Sequence, residues 1–229
     1  MTIVKKYPAR VVSVKQWSDT LFTLGMESLG RPFHFSPGQF LHFAFGEPDP
    51  AQPWPDSRCF SMQKPPGEDI LKITFSVKGY FTENMVTMLS EGSMVTLKLP
   101  YGNLFTQPHE KRGTVFIAGG TGITPFLSLF GHDSFLNYEK PTLYAGFRDI
   151  HQNLFNAQLD MAQKRHPGFS VHYYYENING MIDPGDVARN AIPGASCFIS
   201  GPPRMIRSLK DGLRFHGMDP TQIKTDEWE

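Results

Sequence analysis

"TVFIAGGTGITPFLSLF", residues 114–130, starts as an apolar run, passes through glycines and continues with a helical pattern. That is the order of a strand, a phosphate-binding turn and a helix. The dinucleotide fingerprint G-x-G-x-x-G is met at Gly120 and Gly122, but Pro125 stands where the third glycine should be. Reading Thr124 as a helix N-cap and Pro125 as the first helical residue removes the conflict. A threonine hydroxyl can accept a hydrogen bond from a free first-turn amide. Proline's fixed φ suits the next position, where an N–H would have no partner. The glycines let the backbone pass close to a phosphate, and the helix N-terminus offers it amides and positive potential. The loop then reads as intact but not of Rossmann type; taken alone, GGTG fits an ordinary strand-to-helix turn equally well.

Outward from this stretch the chain has two different grammars. From Ala9 to about Pro100, six short β-rich runs are separated by Gly and Pro: ARVVSVKQW, TLFTLGME, GQFLHFAF, SRCFSM, ILKITFSVK and MVTLKLP. With one brief helical stretch (Thr82 to Ser90), they predict a small antiparallel β-barrel, whose closure would hide strand edges. After residues 106–111, apolar or aromatic strands alternate with helical segments. TVFIAG, PTLYAGF, FSVHYYY, SCFIS and a fifth run, Gln222 to Thr225, are the strands; FLSLFGH, NLFNAQLDMAQKRH and PRMIRSLKDGLRFHG are the helices. This pattern predicts a parallel α/β sheet covered on both faces. The expected domains are residues 1–108 and 109–229.

Bulk composition narrows the function. The 229 residues are 40% hydrophobic and 19% charged, as expected for a folded globular chain. Lys plus Arg equals Asp plus Glu, 22 against 22, and no basic cluster points to nucleic acid. The N-terminal MTIVKKYPARVV lacks a signal-peptide core, and no apolar run approaches the ~20 residues of a membrane span. A soluble, cytoplasmic protein is expected. The two cysteines, Cys59 and Cys197, are too few for a usual iron–sulfur cluster or a cysteine-rich zinc site. The eight histidines show no ligand spacing, so no metal is expected.

Several ordered motifs, from PGQF (37–40) to DEW (226–228), together resemble the ferredoxin–NADP⁺ reductase superfamily. In that family GTGITP cradles the pyrophosphate of NADPH or NADH, here Gly120, Thr121, Gly122, Thr124 and Pro125, and the preceding barrel holds a flavin. RCFS, residues 58–61, is similar to its R-x-Y/F-S flavin signature. An extended strand places Arg58 and Phe60 on one face. The resemblance assigns Arg58 to a flavin phosphate, Phe60 to stacking on the isoalloxazine, Ser61 to flavin N5, and Cys59 to the same strand at the site. VKGYFTENM (77–85) resembles the family's pyrophosphate turn, which favours FAD over FMN; Val77, Gly79, Tyr80, Phe81 and Thr82 are its candidates. Gly79 would allow close approach and Thr82 would cap the helix.

On the nicotinamide side, CFISGPPRMI (197–206) resembles the family's C-G-P-P-x-M stretch at Gly201, Pro202 and Met205. The family's cysteine is replaced by Ser200, which becomes the residue expected beside the nicotinamide ring. Cys197, three residues earlier, faces the other way and reads as a packed hydrophobe. Arg148 in YAGFRD stands where family members meet the adenosine ribose. Arg148 and His151 suit a 2′-phosphate while Asp149 suits a free ribose, so NADH and NADPH both stay open. Near the C-terminus, Glu227 and Trp228 fit the family's acidic-then-aromatic pattern close to the flavin, giving Glu227 a catalytic role beside Ser61 and Ser200.

The resemblance implies a reductase in which hydride passes from NAD(P)H to FAD, and electrons then pass singly to a ferredoxin or another one-electron acceptor protein. Two rivals remain: a reductase that uses flavin as a dissociable substrate, and a non-catalytic electron-transfer subunit of a larger complex.

Overall fold

The computed structural model describes residues 3–48 and 51–226. The chain divides into two compact units, Met1–Asn103 and Leu104–Glu229.

The first unit is antiparallel. Its strands are β1 (Lys5–Ser18), β2 (Leu21–Ser28), β3 (Phe40–Phe45), β4 (Arg58–Ser61), β5 (Ile70–Ser76) and β6 (Met94–Tyr101), with one helix, α1 (Tyr80–Met88). The sheet order is β4-β3-β6-β1-β2-β5. The end strands approach where Gln63 N–H donates to the Lys72 carbonyl at 2.9 Å, so the sheet curls into a nearly closed barrel. Alternation supplies its interior: Leu41 and Phe43 from β3, Leu24 and Met26 from β2, and Val95, Leu97 and Leu99 from β6 are all buried. Helix α1 adds Phe81 and Met85 to that core. Phe43 is fully buried and meets the rings of Phe45, Phe60 and Phe81 edge-on. Its truncation to alanine would cost about 3–5 kcal/mol.

The second unit is a parallel sheet wrapped by helices. In chain order it contains β7 (Val115–Gly119), α2 (Thr124–Phe130), β8 (Thr142–Phe147), α3 (Asn156–Arg165), β9 (Ser170–Tyr175), α4 (Pro184–Asn190), β10 (Cys197–Ser200), α5 (Pro203–Phe215) and β11 (Ile223–Thr225). The strand order is β11-β10-β7-β8-β9. Strand β7 is buried on both sides. Phe116 and Ala118 pack with Phe126, Leu129 and Leu159, while Val115 and Ile117 pack with Ile206, Leu209 and Leu213. This double burial is why the strand is apolar throughout.

Two details differ from the sequence reading. The units divide at Asn103/Leu104 rather than near residue 108. Leu104 is buried in the second core, and the Phe105 ring packs on Phe116, Phe126 and Phe198. Helix α4 was not anticipated, although Asp183 followed by Pro184 is a start signal: the Asp183 side chain accepts from Gly185 N–H at 2.9 Å. Among the described residues, no helix is long and apolar enough to cross a membrane.

Candidate functional site

In the second unit the chain leaves β7 for β8 on one side and later returns to β10 on the other. Strand order therefore reverses between β7 and β10, and a crevice at the carboxyl ends of such strands is where this architecture binds ligands. Two loops meet there, Gly119–Gly122 after β7 and Ser200–Met205 after β10.

Their glycines do different work. A Cβ on Gly122 would lie 2.5 Å from the Ser200 carbonyl oxygen and 2.6 Å from the Gly201 Cα. A Cβ on Gly201 would lie 3.1 Å from Gly119 N and 2.6 Å from Met205 Cε. The loops thus interlock main chain against main chain, with Met205 laid over Gly119. Gly120 is the opposite case. Its φ is +53°, and nothing lies within 4 Å of the position a Cβ would take. One glycine faces open space at the crevice; its neighbours hold the two loops together.

The predicted N-cap at Thr124 is corrected. Gly120–Ile123 forms a 3₁₀ turn that runs straight into α2, so Thr124 already has helical dihedrals (φ −57°, ψ −40°). Its hydroxyl donates to the Thr121 carbonyl at 2.9 Å rather than capping an amide. Pro125 does occupy the first turn, where its missing N–H costs nothing.

Ser200 ends β10, is buried, and donates its hydroxyl to Asp226 Oδ2 at 3.2 Å. Asp226 is fixed in turn by its own N–H, which donates to the Ile199 carbonyl at 2.9 Å. Sequence reasoning did not single out Asp226; the residues it named there, Glu227 and Trp228, lie outside the described residues. Cys197 is fully buried in the core on the α5 side of the sheet, and burial pushes its thiol pKa well up. Arg148 follows β8 and is exposed. Asp149 beside it accepts the His151 N–H at 2.8 Å, capping a short 3₁₀ turn.

In the first unit, Arg58 and Phe60 lie along β4 toward α1. The Arg58 guanidinium sits 5.1 Å over the Phe81 ring, and Phe60 packs 5.8 Å from Phe75. Arg58 Nη1 donates to Asp56 at 2.6 Å and to the Ser57 carbonyl at 2.9 Å. Cys59 contacts His42 instead, with Sγ 3.4 Å from Nε2. Burial raises the Cys59 thiol pKa, while burial and the nearby Lys98 lower that of His42. Ser61 pairs with Phe40 across the ladder.

Helix α1 begins differently from expectation. Its N-cap is Gly79, at φ +144° with open space around its Cβ position, and no side chain caps the first turn. Thr82 lies inside that turn. Its hydroxyl accepts the Lys78 N–H at 2.8 Å and donates to the Gly79 carbonyl at 2.9 Å, so it braces the entry without capping it. Val77 packs against the barrel core, Phe81 is buried, and Tyr80 is 78% exposed. A helix start bare of side-chain caps and fronted by glycine suits an anion.

A small antiparallel barrel and a parallel α/β unit, with glycine loops meeting at the switch point of the second, define a two-domain fold class. The chain has the fold of the ferredoxin–NADP⁺ reductase superfamily. Residues 116–211 match the family model of the oxidoreductase NAD-binding domain. The chain is 26% identical to the phenol hydroxylase P5 protein of Acinetobacter pittii (strain PHEA-2), over 99% of this chain and 66% of that protein. It is 28% identical to the ferredoxin–NAD(P)⁺ reductase component of the naphthalene 1,2-dioxygenase system of Pseudomonas putida, over 86% and 62% respectively. It therefore spans about two thirds or less of the length of these relatives. Among solved structures, a ferredoxin–NADP⁺ reductase from Neisseria gonorrhoeae with bound FAD and NADP superposes with a TM-score of 0.82 at 20% identity, covering 97% of this chain and 98% of that one.

Proposed function

We propose that the chain is an FAD-dependent NAD(P)H oxidoreductase that passes electrons on to a one-electron acceptor protein such as a ferredoxin. The observation that carries this reading is the interlocked pair of glycine loops at the β7/β10 switch point, with Gly120 open toward the crevice. The likeness to the ferredoxin–NAD(P)⁺ reductase component of a naphthalene dioxygenase system supports the same chemistry.

In this reading the barrel unit holds FAD and the α/β unit holds the nicotinamide nucleotide. Arg58 and the uncapped start of α1 grip the flavin pyrophosphate, with Gly79 permitting close approach. Among the described residues only Nη1 of Arg58 is hydrogen-bonded, to Asp56 and the Ser57 carbonyl, which leaves Nε and Nη2 for a phosphate. Phe60 walls the flavin ring, and Ser61 offers its hydroxyl near N5. Val77, Tyr80 and Thr82 border the same turn, as does Cys59 on the signature strand. Gly120, Thr121, Gly122 and the start of α2 receive the nucleotide pyrophosphate, Arg148 borders the adenosine ribose, and Gly201, Pro202 and Met205 form the opposite lip. Ser200, held by Asp226, sets the nicotinamide end. Bound FAD accepts hydride as a two-electron unit and releases electrons singly. The protein's part is to place the two rings and exclude water.

The test is the visible spectrum of the purified protein before and after anaerobic NADH or NADPH. Bleaching of the flavin bands on nucleotide addition is expected. A protein that neither retains FAD nor reduces added FAD overturns the proposal.

A further inference from the structure

The parallel sheet ends on two edge strands, and they are built differently. At one end, β11 is three residues long and carries Lys224. A short strand bearing a lysine is a poor template for further pairing. At the other end, β9 reads SVHYYY, six residues without a formal charge on Asp, Glu, Lys or Arg and without proline. Its aromatic and β-branched side chains favour an extended chain. One edge is blunted and the other is not.

Hydrogen bonding shows which groups of β9 face outward. Ser170 N–H donates to the Pro141 carbonyl at 3.0 Å and Glu176 N–H to the Phe147 carbonyl at 2.9 Å, so the even-numbered residues turn their main chain to β8. Val171, Tyr173 and Tyr175 turn theirs away from it. At the C-terminal end Asn179 stands in for a neighbouring strand: its side chain accepts the Tyr175 N–H at 2.6 Å and donates to the Tyr173 carbonyl at 3.0 Å. The cover stops there. Among the described residues, the Tyr173 N–H and both main-chain groups of Val171 have no partner, and Val171 and Tyr173 are only half-buried.

We infer that β9 pairs antiparallel with β9 of a second copy of this chain, joining two five-stranded sheets across a two-fold axis at His172. In that register Val171 of each copy faces Tyr173 of the other, and the outward groups exchange about four main-chain hydrogen bonds. The Tyr173 carbonyl keeps Asn179 on one lone pair and offers the second. A two-fold contact requires a surface that complements itself, and the charges at the ends of β9 do so. The same register sets Glu176 of one copy against the Gly168 turn of the other. A Cβ on Gly168 would lie 3.9 Å from Lys140 N, so Lys140 borders that turn. Glu176 and Lys140 are both exposed, and neither forms an ion pair among the described residues. The two-fold axis repeats the contact, so an acid meets a base at each end of a seam with no Asp, Glu, Lys or Arg at its centre. Strand β8 stands between β9 and the β7/β10 crevice, which pairing therefore leaves open. The inference is independent of the reductase reading.

The experiment is sedimentation equilibrium of the full chain with FAD, from about 5 to 500 μM protein, where a reversible monomer–dimer equilibrium is expected. Tyr173→Pro deletes an outward N–H and leaves the β8 ladder whole, a position where an edge strand tolerates proline. It should weaken the dimer about tenfold or more. Glu176→Lys should weaken it several-fold, and Glu176→Lys/Lys140→Glu should restore it. Register is read by cross-linking with oxidised glutathione: His172→Cys, on the axis, should give an interchain disulfide above the wild-type background, and Ser170→Cys should not. A monomer throughout the concentration range overturns the inference. So does a dimer unchanged both by Glu176→Lys and by Tyr173→Pro of wild-type Tm, or one that cross-links through Ser170→Cys rather than His172→Cys.

Discussion

Gly122→Ala is the sharpest probe of the switch-point crevice, because the added methyl meets backbone rather than a yielding side chain. The Ser200 carbonyl would be 2.5 Å away and the Gly201 Cα and N 2.6 Å. Ordinary contact between such atoms needs about 3.5 Å or more, so one loop must retreat by roughly an ångström. Overpacking of this kind costs about 1–3 kcal/mol. At 2 kcal/mol, Tm should fall by about 4–8 °C in thermal melts of the purified protein. Nucleotide affinity should fall with it, since the retreating segment includes both lips of the proposed binding loop. Gly120→Ala is the matched control. Its methyl meets nothing, but a left-handed φ costs a non-glycine residue ~1–2 kcal/mol. It should therefore lose comparable stability while obstructing the nucleotide directly from the open side. Titration of flavin fluorescence with a non-reducing nucleotide analogue measures both affinities. Wild-type Tm in Gly122→Ala would refute the interlock, and wild-type nucleotide affinity in folded Gly120→Ala would refute the open face as the binding surface.

Arg58→Ala should weaken FAD binding by about tenfold, the lower part of the range for a charge-assisted bond, because the guanidinium is half exposed and shared with Asp56; equilibrium dialysis against FAD checks it. Ser200→Cys should change the limiting rate of flavin reduction in stopped flow more than it changes nucleotide affinity, whereas Cys197→Ser should lower Tm and leave that rate nearly intact. His109 is half-buried, its Nε2 lies 2.6 Å from Tyr138 Oη, and burial holds its pKa below the ordinary value. Neutral His109 thus favours the fold, with its full contribution present above pH ~6.5 and lost as pH falls through the lowered value. Urea unfolding at pH 7.5 and pH 5 should show a smaller acid loss in His109→Gln than in wild type.

The fold was legible wherever local pattern and tertiary need coincide. β7 had to be apolar on both faces, and its sequence is. The barrel strands were readable as β-rich runs, five of which stop within a few residues of a Gly or Pro while β1 turns at Ser18-Asp19-Thr20. Helix α5 was readable because Ile206, Leu209 and Leu213 repeat at helical spacing. Where several local solutions satisfy the same residues, the reading faltered. Thr124 and Thr82 both stand near a helix start after glycine, and either can cap. A 3₁₀ lead-in at one site and a glycine N-cap at the other moved both hydroxyls inside the first turn, where each donates to a carbonyl three residues back.

The C-terminal pairing shows what kind of information one sequence lacks. TDEWE offers two adjacent acids, Asp226 and Glu227, and composition gives no reason to prefer either. Register is what places Asp226: β11 runs parallel to β10 with Cys197 opposite Ile223 and Ile199 opposite Thr225. That alignment carries Asp226 to the level of Ser200, and the Asp226 N–H bond to Ile199 fixes it there. Strand pairing between segments more than twenty residues apart is a tertiary fact, encoded in the cores on both faces of the sheet rather than in either short strand. The replacement of cysteine by serine then takes on a physical meaning. A buried hydroxyl needs an acceptor, and Asp226 supplies one, so Ser200 and Asp226 form one polar unit at the end of β10. Its orientation follows from that bond, and any role for Ser200 at the nicotinamide ring is set through the carboxylate that holds it.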